Sequence, residues 1–155
     1  MNVSIHSRDS IEKLISNSFP PNTAVISFND PLYENINSNA PLIDFKGKSE
    51  RIFRLSLPDI DIDSLDEYGY NINTYFTESD KLAKFIIDSY NDGLDIICQC
   101  EYGESRSSGC AAAILEYYYH NGISIFSDYD FYPNKLIFNK LLLSLKNQTL
   151  YKQSN

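Results

Sequence analysis

Apolar positions come in two kinds of stretch, short unbroken runs and longer segments at helical spacing, and the two kinds alternate along the chain. Residues 23–28 (Thr-Ala-Val-Ile-Ser-Phe) predict a buried strand, ended by the turn-forming pair Asp30-Pro31. Residues 51–57 alternate, with Ile52, Phe53, Leu55 and Leu57 apolar and Arg54 and Ser56 polar. They read as a second strand, stopped at Pro58-Asp59. Residues 94–98 are apolar but for Asp95, too few for a helix and bounded by Gly93, so they predict a third. Helical spacing appears first at Ile11, Leu14 and Ile15, giving a helix over 7–16 with Ser7 or Asp9 as its cap. Leu82, Phe85, Ile86 and Tyr90 mark a second helix. There Thr77 is expected to cap, Asp80 to complete a capping box, and Asn91-Asp92-Gly93 to end the element. Residues 107–119 make a third, with Cys110, Ala111, Ile114, Leu115 and Tyr118 inward and Asn121-Gly122 as the C-terminal cap. After Pro133, Leu136, Ile137, Leu141, Leu142 and Leu145 supply a last amphipathic helix. The segments 32–48 and 58–75 are polar and read as loops.

Strands separated by helices predict an α/β fold, a central, mostly parallel sheet flanked by helices. The length of 155 residues suits a single domain over residues 1–155. No apolar run reaches the roughly 18 residues a membrane span needs, and the N-terminus lacks the pattern of a signal peptide. A standalone domain without a membrane partner is therefore expected. Three cysteines, two at alternate positions of one strand, make no disulfide framework, and a reducing cytoplasm is the expected compartment. Net charge is −8 with no basic stripe, which argues against nucleic acid and densely anionic ligands. His6 and His120 stand alone, so neither a metal site nor a cofactor is expected.

The chemistry concentrates in Cys100-Glu101-Tyr102-Gly103-Glu104-Ser105-Arg106-Ser107, between the third strand and the third helix. In a strand–loop–helix unit, ligands bind at the carboxyl end of the strand, where Cys100 falls. Backbone N–H groups of the loop and of the helix start are free to converge on an anion, helped by the helix dipole. Gly103 permits a backbone conformation other residues resist. Arg106 offers a planar fork for two oxygens, which lysine does not. A thiol with a pKa near 8.5 is only a few per cent thiolate at pH 7, and a helix N-terminus with an arginine favours the thiolate. One loop would thus bind phosphate and activate its nucleophile.

The pattern Cys-x-x-Gly-x-x-Arg-Ser, as Cys100, Gly103, Arg106 and Ser107, resembles the signature of the cysteine-dependent protein tyrosine phosphatases. The apolar strand before it and the small-residue helix after it resemble the dual-specificity branch, small bacterial and phage members above all. The resemblance covers residues 23–146, with Tyr132-Pro133-Asn134 before the last helix as a supporting feature. It implies a phosphomonoester hydrolase acting on a phosphorylated protein or a small phosphomonoester. Cys100 would attack phosphorus and form a phosphocysteine. Arg106 would bind phosphate oxygens with the loop amides of Glu101, Tyr102, Gly103, Glu104, Ser105 and Arg106. Ser107 would hydrogen-bond the sulfur, its rival role being a helix cap. The leaving oxygen needs an acid from an earlier loop: Asp59, just past the second strand, fits, Asp61 competes, and Asp63 and Asp66 are weaker candidates.

Gln99 stands where the family usually has histidine before the nucleophile, which raises an alternative, a catalytically weak phosphate-binding module. Glu101 and Glu104 are expected to turn their side chains away from the phosphate and argue against phosphoinositides. Cys98 and Cys110 fit buried core thiols, with a disulfide to Cys100 as the competing reading. Sulfurtransferase and arsenate reductase chemistry also use a loop cysteine and are minor alternatives.

Overall fold

A computed structural model describes residues 1–31 and 42–153. The elements run β1 (Val3–His6), α1 (Arg8–Asn17), β2 (Thr23–Asn29), β3 (Ile52–Ser56), α2 (Ser79–Asn91), β4 (Asp95–Gln99), α3 (Arg106–Tyr119), α4 (Ile123–Phe126) and α5 (Lys135–Gln153). Two short 3-10 turns, Ile62–Ser64 and Asp66–Tyr68, interrupt the polar segment after β3. The four strands form one parallel sheet in the order β1-β4-β2-β3. This is the expected α/β architecture with a central parallel sheet.

Central position explains the strand sequences. β2 is buried from Thr23 to Phe28 and β4 from Ile96 to Gln99, because helices cover both faces of a parallel sheet. Ala24, Ile26, Phe28, Ile96, Cys98 and Cys100 face α2, α3 and α5 in the main core. Val25 and Ile97 face the other way, onto Ile11 of α1 with Ile43 and Phe45. β3, at one edge, alternates between buried and open positions, as its pattern predicts.

Helix α3 is buried all round from Arg106 to Ile114, since it packs on the sheet on one side and on α5 on the other. Its run of Ser107, Ser108, Gly109 and three alanines lets α5 approach closely. A Cβ on Gly109 would sit 2.5 Å from the carbonyl oxygen of Asn134, where the chain turns into α5.

Several local expectations are corrected. β1 is an additional strand, too short at four residues to stand out from its polar neighbours; α4 is equally short. Helix α1 is capped by Ser7, whose Oγ accepts from Ser10 N at 3.1 Å, and Asp9 lies in its first turn. Helix α2 has no side-chain cap: it begins one residue late, after Phe76 takes φ +57° and sends the Tyr75 and Phe76 rings into the core. Thr77 Oγ1 donates to Glu78 Oε2 at 3.2 Å instead of capping. At the end of α3, His120 (φ +53°) takes the left-handed position expected near Asn121-Gly122. Gly122 serves packing: a Cβ there would lie 2.7 Å from the Ala112 carbonyl oxygen. Leu115 and Tyr118 are only half buried, Tyr118 stacking on Tyr90 at 4.1 Å between centroids. Of the expected 32–48 loop, residues 32–41 lie outside the described residues; 42–48 carry no helix or strand.

Replacing Gly109 by alanine must push α3 from the start of α5. The expected outcome is a loss of about 1–3 kcal/mol, typical of overpacking, read from the urea midpoint.

Candidate active site

β4 ends at Gln99, and Cys100 follows on the helix-covered face of the sheet, 2% exposed. Ser107 Oγ lies 3.0 Å from its sulfur, and Gly103 N donates to the same sulfur at 3.3 Å. The segment 101–105 between them wraps back over the strand end as a run of bends.

The loop carbonyls are held from outside. Glu101 O accepts from Arg8 N (3.0 Å), Glu104 O from Tyr132 N (2.9 Å), and Ser105 O from Asn134 N (3.0 Å). In a planar trans peptide the carbonyl and the following N–H point in opposite directions. The amides of Tyr102, Ser105 and Arg106 therefore point away from those packed neighbours, and Gly103 N already reaches the sulfur. Free N–H groups at a loop and helix N-terminus are the kind of arrangement that can receive an anion. Gly103 is required twice: its φ is +75°, and a Cβ would fall 2.7 Å from Ser7 N.

Arg106 is 2% exposed. Its NH1 donates to Leu57 O at 2.8 Å and Asn29 O at 3.3 Å, and lies 3.3 Å from Asp30 Oδ2. The ends of β2 and β3 thus fix one edge of the guanidinium. Its Nε is buried, 3.9 Å from Asp59 Oδ2, beyond hydrogen-bond length, and hydrogen-bonds to no group among the described residues.

Asp59 reaches the loop: its Oδ1 accepts from Ser105 Oγ at 2.7 Å and from Asn134 Nδ2 at 3.0 Å. Asn134 also donates to Ile60 O at 3.0 Å, and its Oδ1 caps α5 through Ile137 N at 3.0 Å. Tyr75 OH donates to Pro58 O at 3.0 Å, and burial, with the Asp59 charge adding to it, raises the phenol well above its usual range. Tyr75 therefore stays a neutral donor under the segment that carries Asp59. Asp61 is spent locally, its Oδ1 accepting from Ile62 N at 2.7 Å. Asp63 and Asp66 sit in the exposed 3-10 turns.

Gln99 faces the opposite side of the sheet, where its Oε1 accepts from Ser27 Oγ at 2.7 Å, its register partner on β2. Glu101 turns outward to Arg8 Nε at 3.0 Å, and Glu104 is exposed. Cys98 and Cys110 are buried in the core, and burial, reinforced by the neighbouring Cys98, pushes the Cys110 thiol well up. Among the described residues no group of three or more histidine, cysteine or acidic side chains is placed to hold a metal, and no helix is long and apolar enough to cross a membrane. A cavity of about 410 Å³ adjoins the site at Asp59 and Ser105. A larger one, about 490 Å³, lies by Thr23, Arg51 and Leu94 where the strands begin, at the end of the sheet away from Cys100.

Sequence reasoning missed Arg8, Asp30 and Tyr75. Each belongs to a segment far from the loop in sequence, and only the parallel register brings them together. Asn134 stood out for its Pro-Asn setting before a helix, without a hint that it would bridge to Asp59.

No family model matches the sequence, and neither does any curated protein. Solved structures do match. The crystal structure of PTPMT1 is similar with a TM-score of 0.55 and 15% identity, over 99% of this chain and 96% of that chain. PTPMT1 in complex with PI(5)P is similar at 0.55 and 14%, over 97% and 94%. The human tyrosine phosphatase-like serine/threonine/tyrosine-interacting protein is similar at 0.53 and 16%, over 94% and 86%. The chain has the fold of the cysteine-dependent tyrosine and dual-specificity phosphatases.

Two outcomes follow from the geometry. Asn134→Ala removes a helix cap and two further hydrogen bonds, so a loss of about 2–3 kcal/mol is expected in urea unfolding. Burial lowers the His6 pKa below 6.5, so the native state takes up its proton less readily than the unfolded chain. Stability is then full above pH ~6.5 and falls as pH drops toward the folded pKa, a slope that His6→Gln should lose in urea midpoints measured from pH 7.5 to 5.

Proposed function

We propose that the chain is a cysteine-dependent, metal-independent phosphomonoester hydrolase acting on phosphotyrosine and related phosphoesters. The observation that carries this reading is the buried Arg106 Nε, a charged donor with no hydrogen-bond partner among the described residues and 3.9 Å from the Asp59 carboxylate, beside a cysteine whose loop amides turn inward. Leaving such a donor unsatisfied costs several kcal/mol unless a ligand oxygen meets it. A phosphoryl group held by Arg106 and the loop amides meets it.

In the first step Cys100 Sγ attacks phosphorus, the bond from phosphorus to the leaving oxygen breaks, and Asp59 gives that oxygen its proton. In the second, water attacks the phosphocysteine, the S–P bond breaks, Asp59 takes the proton and Ser107 hydrogen-bonds the departing sulfur. Arg106 and the amides stabilise charge on the equatorial oxygens in both steps. Asp59 Oδ1 is occupied by Ser105 and Asn134, so Oδ2 is the oxygen that carries the proton. The substrate class of this reading is a phosphorylated protein, with a small phosphomonoester as the alternative.

A second reading, phosphate binding with little turnover, draws on Gln99, whose carbonyl oxygen is committed to Ser27 on the far side of the sheet. Hydrolysis of p-nitrophenyl phosphate separates the two. Cys100→Ser is expected to abolish turnover while retaining phosphate binding. Arg106→Lys should lower kcat/KM by about a hundredfold to a thousandfold. Asp59→Asn should lower kcat by about a hundredfold or more and remove the alkaline limb of the pH profile, because a general acid fails once deprotonated. Undiminished activity in Cys100→Ser would exclude the covalent mechanism.

A further inference from the structure

The cavity that adjoins the site has a wall and a floor of different chemistry. Asp59, Asp61 and Ser105, the last within the loop after Cys100, make a polar wall; Phe126, Phe131 and Tyr132 supply an aromatic floor. At about 410 Å³ it lies within the size range of small-ligand clefts, about 300–1,000 Å³. Its floor is fixed. Phe126 packs edge-on against Phe138 of α5 at 5.0 Å between centroids, and Tyr132 N is bonded to Glu104 O of the phosphate loop at 2.9 Å. The Tyr132 side chain is nonetheless 71% exposed over this floor.

Resting on the hydrolase reading, we propose that this groove is a subsite for the segment flanking the phosphorylated residue, and that it selects a protein substrate with a large apolar side chain beside the phosphate ester. The argument starts from the acid. Whichever group leaves must place its oxygen within reach of Asp59, so the ester side of the substrate departs past Asp59. The groove begins at that residue and shares Ser105 with the loop. A phosphotyrosine ring at Asp59 therefore hands its neighbouring side chain to Phe131 and Tyr132. Aromatic walls reward apolar or aromatic area removed from water. Charge excludes the competing occupant. Asp59 and Asp61 on the wall, with Glu104 exposed beside it, oppose further phosphates, and Lys135 is the one cation in the lining. A polyphosphorylated inositol headgroup would set its extra charges against those carboxylates.

The test uses p-nitrophenyl phosphate and two phosphotyrosine peptides that differ in one position beside the phosphotyrosine, leucine in one and aspartate in the other. The wild-type chain is expected to favour the leucine peptide by about tenfold in kcat/KM, as a filled apolar pocket allows. In Tyr132→Ser, with Phe131→Ser as the second variant, the ratio of kcat/KM for the leucine peptide to that for p-nitrophenyl phosphate should fall by about the same factor, through KM. Equal rates on both peptides, an equal loss on all three substrates, or a preference for an inositol bisphosphate over the leucine peptide would overturn the assignment. Absence of turnover on every substrate would instead defeat the hydrolase reading. Fluorescence-anisotropy binding of the two peptides to Cys100→Ser then decides the groove by itself: tighter binding of the leucine peptide supports it, equal binding rejects it.

Discussion

The site depends on one buried charge. Arg106 is inaccessible to water, and an isolated guanidinium in that position would be prohibitively costly. The structure compensates it with the carbonyls of Asn29 and Leu57 and the carboxylate of Asp30. Those acceptors come from the ends of two adjacent parallel strands, so the sheet must be in register before the arginine can be buried. Removing one partner of such a charge typically costs about 3–5 kcal/mol, far more than a surface pair. The fold and the candidate site are thereby coupled: the acceptors that make Arg106 tolerable hold one edge of the guanidinium and leave its Nε 3.9 Å from the Asp59 carboxylate.

A second constraint links the acid to the loop. Asn134 reaches the Asp59 carboxylate, the Ile60 carbonyl and the first turn of α5 through one side chain, while its backbone N–H holds Ser105. Gly109 lets that backbone lie directly against α3. The segment that carries Asp59 is therefore not an independent flap. It is seated on the packing of α3 against α5, with Tyr75 beneath it as a neutral donor. On the opposite flank the loop leans on β1 and α1, through Cys100 N on His6 O, Arg8 on Glu101 and Gly103 on Ser7.

Much of this was legible in the sequence, for identifiable reasons. The strands over Thr23–Asn29 and Asp95–Gln99 carry apolar residues at consecutive positions, Ala24 to Ile26 and Ile96 to Cys98, because helices cover both of their faces, and such runs read clearly next to Gly93 and Pro31. Cys100, Arg106 and Ser107 are close in sequence, so their spacing alone places them together. Asp59 was approachable because a strand end bounds it. What stayed hidden is what the parallel crossovers bring in: β1, whose four residues carry too little pattern, and Arg8, Asp30 and Tyr75, whose partners lie far along the chain. The helix caps at Thr77 and Gly122 misled because a tertiary demand outweighed local preference. Phe76 accepts a left-handed conformation to bury two aromatic rings, and Gly122 is needed for closeness to Ala112.

Electrostatics in this protein is local before it is global. A net charge of −8 looks ill-suited to an anion site of the kind proposed, in a loop that itself contains Glu101 and Glu104. Glu101, however, is paired with Arg8, which also reaches Glu12, so its charge is compensated on the outer side of the loop. Glu104 is exposed, where water and salt screen it within about 8–10 Å. Inside, the dipole of α3, the loop amides and Arg106 act at hydrogen-bond distance in a poorly screened pocket, and there short range outweighs total charge. The global charge acts instead on encounter, disfavouring ligands with many phosphates before they reach the loop. A ligand with a single phosphate meets less of that repulsion than one with several.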